Sequence, residues 1–178
     1  MEAGILSERR DVFMKSEVLI SQLEFNPFSM IKDDGFLISA VKGSSTALMT
    51  AGWGLMGILW NKPVVTVYVR PSRYTFDFLK SGEKFTLSFF PEDRRDILRY
   101  CGSHSGHNED KLRALSLRDS RIGDYIVYDE AVLTFACRKI YMREMDERLV
   151  LDKSITETYY ADKDVHWSFS GLIEHVYI

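Results

Sequence analysis

Cysteine is scarce in this 178-residue chain: Cys101 and Cys137 stand 36 positions apart and form no C-x-x-C pair. That excludes a disulfide scaffold and leaves two thiols that read as reduced structural residues rather than a disulfide or a metal pair. Charge of one sign is also missing, since 23 Lys plus Arg against 26 Asp plus Glu gives a net charge of -3. Such a balance supplies no overall field for nucleic acid or an anionic membrane, although local basic pockets remain open. No apolar run approaches the roughly 20 residues of a membrane span. The opening segment MEAGILSERRDVF lacks the apolar core and small cleavage residues of a secretory leader. A cytoplasmic protein with no nucleic-acid and no membrane partner is expected.

Most catalytic signatures are absent as well. There is no G-x-S-x-G elbow, no H-E-x-x-H pair, no Walker loop and no G-x-G-x-x-G before a helix. Gly52, Gly54 and Gly57 do have the spacing of a dinucleotide fingerprint, but no helix signal follows them, so classical dinucleotide binding on a Rossmann sheet is not expected. The four histidines, His104, His107, His166 and His175, include one pair three residues apart in a small-residue loop. No carboxylate or cysteine completes a recognisable ligand set, so no metal is expected. Repeats, low-complexity stretches and long linkers are missing, and a single domain over residues 1–178 follows.

What the chain does have is a hydrophobic share of 46%, enough at this length for a full core, and aromatics at 13% placed in short β-type runs. Residues 36–41, 64–70, 84–90, 132–141 and 166–178 are the clearest strands, bounded by Gly, Pro, Asp or Ser. Helices are expected between them. One is capped by Ser72 and runs through Lys80 to a stop at Ser81-Gly82, and one starts at Pro91-Glu92-Asp93 and runs through about Tyr100. A third begins near Asn108, with Lys111, Leu112 and Leu115 on one side. The order predicts a mainly β barrel or sandwich covered by helices rather than repeated strand-helix-strand units.

Three segments carry chemistry. Residues 43–54, GSSTALMTAGWG, combine hydroxyls and small side chains that expose backbone N–H and C=O groups to the polar edge of a planar ring, with Met49 and Trp53 as apolar walls. The alternative is a strand with a Gly-rich bend packed on the core. Residues 70–75, RPSRYT, follow a strand and open a helix, where two arginines, two hydroxyls and free N–H groups suit a phosphate monoester. The alternative is a capped helix with solvent-facing arginines. Residues 103–111, SHSGHNEDK, form a hydroxyl-rich loop with a lysine within one turn, able to complete the same anion site or simply to be a polar loop. Two anion-suited segments beside one ring-suited segment describe a mononucleotide such as FMN.

The runs MTAGWG at 49–54, VYVRPSRYT at 67–75 and SHSG at 103–106 with Lys111 after it, in this order and spacing, resemble the flavin reductase-like family of FMN-binding split-barrel proteins. The resemblance extends from about Ser29 to Ile178, including Leu151-Asp152-Lys153 and a terminal strand with His166 and Gly171. Residues 1–28 are then an N-terminal extension. It implies a six-stranded antiparallel split β-barrel of Greek-key order with flanking helices, and a homodimer holding two FMN molecules near its interface. It also implies that Thr46, Ala47, Leu48, Met49, Thr50, Ala51 and Trp53 lie along the isoalloxazine ring, largely through backbone contacts. Arg70, Ser72, Arg73, Tyr74 and Thr75, with Ser103, Ser105, Gly106 and Lys111, would hold the ribityl phosphate. The chain departs from the family pattern at Ala47, where members commonly have Asn, and at His107, where they often have Arg.

An FMN protein of this kind needs no side-chain acid or base, because the cofactor carries the redox chemistry. The expected activity is an NAD(P)H-dependent flavin reductase with hydride passing to or from flavin N5, Trp53 and the terminal strand controlling access to the ring. The alternative is an FMN-binding electron-transfer or flavin-storage protein without reductase turnover.

Overall fold

The structure, a computed structural model, describes residues 15–178; the first half of the expected N-terminal extension lies outside the described residues. Among the described residues nine strands form: β1 Phe36–Lys42, β2 Ser45–Ala51, β3 Gly54–Leu59, β4 Lys62–Val69, β5 Lys84–Phe89, β6 Asp119–Ile122, β7 Tyr125–Tyr128, β8 Leu133–Glu144 and β9 Trp167–Tyr177. The helices are α1 Pro27–Ser29, α2 Thr75–Ser81, α3 Arg95–Ser103, α4 Lys111–Leu115 and α5 Lys153–Tyr159. No helix among the described residues is long and apolar enough to cross a membrane.

Seven strands make one antiparallel sheet in the order β2-β1-β5-β8-β9-β4-β3, and β6 and β7 pair as a separate hairpin. This corrects the expected six-stranded barrel. The sheet has seven strands, and the two edge strands β2 and β3 share no ladder, so it is not closed. Only Gly52 and Trp53 separate the ends of β2 and β3. Two residues cannot cross a flat sheet of this width, so the sheet must roll until its edges approach at that corner.

The run FLISA in β1 explains the layering. Five consecutive buried residues on a strand mean both faces are covered. Phe36, Ile38 and Ala40 point into the rolled sheet, where Phe36 meets Phe89 with ring centroids 5.6 Å apart, and Phe89 meets Phe135 at 6.0 Å. Leu37 points outward to a second cluster formed by Leu48, Phe90, Ile97, Leu98, Cys101 and Tyr128. Ser39, on that same outer face, shares a 2.9 Å hydrogen bond with the buried Tyr128 hydroxyl. The outer cluster fixes α3 and the β6–β7 hairpin against β1 and β2, which is what holds the polar loop after α3 over the outer edge of the sheet. Val18 and Leu23 pack against the inner cluster, and Val18 N donates to Val176 O at 2.9 Å, so the described part of the N-terminal extension lies on the core.

Candidate functional site

β2 supplies the floor. As an edge strand it pairs only with β1, and antiparallel pairing sends the N–H and C=O of alternate residues away from the partner. Leu48 is one of these outward residues, because its carbonyl accepts from Lys111 Nζ at 3.1 Å; the alternation places Thr46 and Thr50 with it. Their side chains turn to the outer layer, where Thr50 Oγ1 donates to Leu98 O at 2.6 Å. The intervening Ala47, Met49 and Ala51 belong to the inner core. Backbone groups, not long side chains, therefore face the open edge.

Beyond that edge lies a cavity of about 310 Å³ walled by residues 49–53, Tyr68, Arg70, Arg73, Gly102 and His166. Trp53 is held there by His166, with ring centroids 4.8 Å apart, and by Tyr159 edge-on at 5.1 Å. His166 is buried and its Nδ1 lies 3.2 Å from the Tyr160 hydroxyl. Burial first, and the Arg70 guanidinium second, push its pKa down, so the ring is neutral at pH 7.

Next to it is a smaller cradle of about 100 Å³ formed by Leu48, Met49, residues 72–75, residues 102–106 and Lys111. No carboxylate lines it. Lys111 is 5% exposed, and its ammonium donates to Leu48 O and, at 2.8 Å, to Cys101 O, two of its three protons. Burial lowers its pKa, and among the described residues no carboxylate hydrogen-bonds to it, Glu109 acting only through its charge. Thr75 Oγ1, in the first turn of α2, is buried with no hydrogen-bond partner among the described residues. A buried ammonium with a spare donor and an orphaned hydroxyl are costs that an anion with several acceptor oxygens removes. The residues present therefore fit a phosphate group.

The loop over the cradle is shaped by one close approach. A Cβ on Gly106 would stand 2.4 Å from Tyr74 Cδ1, so only glycine lets the loop reach the aromatic ring. Ser105 Oγ accepts from His107 N at 3.3 Å, and Ser103 Oγ donates to Arg99 O at 2.9 Å, which ties both hydroxyls into the loop and α3.

Every site residue named from the sequence lines one of these cavities or the one beside them except Ala47, which is 1% exposed in the core and whose backbone groups lie on the side of β2 that faces β1. Two others direct their side-chain donors to residues 159–164. Arg70 donates from Nη1 to Asp162 Oδ2 at 2.8 Å and from Nη2 to Tyr159 O at 2.6 Å, and Ser72 Oγ donates to Asp164 rather than capping α2. Arg73 is the freer arginine: its Nη2 reaches Gly102 O at 3.4 Å, and it lines both cavities. Sequence reasoning missed Tyr68 and Gly102. Tyr68 was accessible, because it alternates with buried Val67 and Val69 in β4 and must face the other way. Asp162 and Asp164 gave no local signal.

A family model described as the flavin reductase like domain matches residues 34–177. No curated protein matches the chain. Among solved structures, the flavoredoxin of Methanosarcina acetivorans is 22% identical with a TM-score of 0.64, covering 81% of this chain and 67% of that one. An FMN-binding protein from Thermus thermophilus with bound 1-cyclohex-2-enone is 20% identical with a TM-score of 0.63, covering 80% of this chain and 68% of that one. An NADH:FAD oxidoreductase of Streptomyces globisporus C-1027 is 16% identical with a TM-score of 0.62, covering 80% and 73%. At these identities the likeness is one of fold, whereas the family model spans most of the sequence: the chain belongs to the flavin reductase-like domain family.

Proposed function

We propose that the protein binds FMN, with the isoalloxazine ring between the outer edge of β2 and Trp53 and the phosphate in the cradle of Lys111, Arg73 and Thr75, and that it works as an NAD(P)H-dependent flavin reductase. The observation that carries this reading is the pairing, in one cavity, of a Thr75 hydroxyl without a partner among the described residues and a buried Lys111 bonded only to backbone carbonyls. Flavin supplies the redox step when bound, accepting hydride from a nicotinamide at N5. The chain's own residues do the positioning. Outward N–H and C=O groups of Thr46, Leu48 and Thr50 match the polar rim of a planar heterocycle, and the cations fix the other end. Trp53, clamped by His166 and Tyr159, is a rigid wall rather than a mobile flap. Neutral His166 hydrogen-bonds without adding positive charge beside the ring.

A homodimer is part of the same proposal. Leu55, Ile58 and Trp60, on β3 and the turn after it, are 62%, 73% and 62% exposed, an apolar edge suited to cover by a second copy. Anaerobic stopped-flow mixing of FMN-loaded protein with NADH and then NADPH tests the activity. Bleaching of the flavin absorbance at turnover rates supports the reductase. No bleaching with either nucleotide replaces it with the electron-transfer or storage reading, which the flavoredoxin likeness favours.

A further inference from the structure

Arg143, Ser168 and Tyr68 form a row across three strands on one face of the sheet. Arg143 of β8 stands opposite Ser168 of β9, and Ser168 stands opposite Tyr68 of β4; directly opposed residues of antiparallel strands share a face. Val67 and Val69, on either side of Tyr68, belong to the inner core, so the row lies on the outer face. A cavity of about 260 Å³ sits over it, walled by Met145, Leu149 and Val150. Tyr68 lines both this cavity and the ring cavity, which makes the two neighbours across one side chain.

We propose that this cavity is the subsite for the anionic group of the molecule that shares the ring cavity with the flavin, and that Arg143 selects molecules carrying a phosphate or a carboxylate there; the inference rests on the flavin reading above. Among the described residues neither the Arg143 guanidinium nor the Tyr68 hydroxyl has a hydrogen-bond or ion-pair partner. Two carboxylates also line the cavity, and neither pairs with Arg143. Asp146 is held by Arg148, from Nε at 2.9 Å and from Nη2 at 2.8 Å. Glu144 stands opposite Trp167, which packs on the inner core, so it belongs to the other face of β8. Ser168 Oγ donates to Arg143 O at 3.1 Å, which ties β9 to β8 and spends its proton. The free donors are then the planar fork of Arg143, suited to bidentate contact with an anion, and the Tyr68 hydroxyl between it and the ring cavity. Two strand spacings separate Tyr68 from Arg143, roughly 10 Å, so the anionic group stands about that far from the part of the molecule over the flavin ring. Leu149, 67% exposed, and Val150 offer apolar contact to what connects the two ends.

Isothermal titration calorimetry of the FMN-loaded protein with two matched pairs of probes tests this. Oxidised nicotinamide mononucleotide against nicotinamide riboside isolates a phosphate, and phenylbutanoate against phenylbutanol isolates a carboxylate. The anionic member of at least one pair is expected to bind the wild type tenfold or more tightly than its counterpart, and the pair that shows this names the source of the anion. In Arg143→Gln, a change at an exposed strand position, that preference is expected to fall to within twofold. The counterpart's affinity, the FMN affinity and the melting temperature are expected to stay unchanged. No binding or no preference in either pair, or a preference that survives Arg143→Gln, overturns the inference while the flavin reading stands. A protein that does not load FMN at all removes both.

Discussion

Lys111 Nζ donates to Leu48 O at 3.1 Å, so the one buried ammonium among the described residues is tied to the open edge of β2. Lys111→Met retains most of the side-chain volume and removes the charge. A charge-assisted contact contributes about 1.5–3 kcal/mol, so FMN affinity is expected to fall roughly ten- to hundredfold in a flavin-fluorescence titration. The melting temperature is expected not to drop in step, because a desolvated ammonium opposes folding in the flavin-free protein.

The same lysine sets a pH dependence. Burial, and to a lesser degree the charge of Arg73, holds its pKa below the ordinary lysine range. A bound phosphate favours the ammonium and raises that pKa, so between the two values the complex carries more protons than the free protein. FMN affinity therefore falls as pH rises through Lys111's lowered pKa. For folding the sign is opposite: the unfolded chain binds the extra proton in the window below the ordinary value, and stability rises with pH there. Titrations from pH 7 to 10 should show the alkaline decline in the wild type and not in Lys111→Met.

Arg70 and Arg73 separate by partner. Arg73→Ala removes a guanidinium whose bond to Gly102 O is long, and is expected to cost ten- to hundredfold in FMN affinity with an unchanged melting temperature. Arg70→Ala leaves the carboxylates of Asp162 and Asp164 without their cation and frees the connection between α5 and β9. Its expected signature is faster hydrogen exchange at residues 159–165, with the smaller loss of FMN affinity of the two.

Two glycines are set by close approach. A Cβ on Gly171 would stand 2.6 Å from Phe85 Cζ and 2.7 Å from Cys137 Cβ in the sheet core, so Gly171→Ala is expected to destabilise by about 1–3 kcal/mol in urea unfolding. Gly106→Ala meets the Tyr74 ring instead, at the cradle. It is expected to weaken FMN binding, with the added substitution Tyr74→Ala restoring room for the loop but not the wall.

Strands announced by dense β-branched and aromatic residues, such as β4 and β9, were legible within a few residues of their bounds. The β6–β7 hairpin was not, because Asp119, Ser120 and Arg121 present an exposed, charged face that reads as loop. β3 was not among the five strands read from the sequence, because most of its residues are exposed and Gly54 and Gly57 dilute its β-type pattern. At the site, residue types announced an anion cradle, but lysine is ordinarily exposed, so the burial of Lys111 had no sequence signal. The capture of Arg70 by Asp162 and Asp164 joins residues about ninety positions apart, a pairing that only the folded chain reveals.

The central claim is that the cradle of Lys111, Thr75 and Arg73 holds the phosphate of a flavin. Equilibrium dialysis of the wild type against FMN and against riboflavin, which has the same ring and ribityl chain without the phosphate, tests it most directly. One FMN per protomer retained with at least hundredfold preference over riboflavin is expected; equal affinity for the two, or no retention of FMN, contradicts a phosphate cradle there.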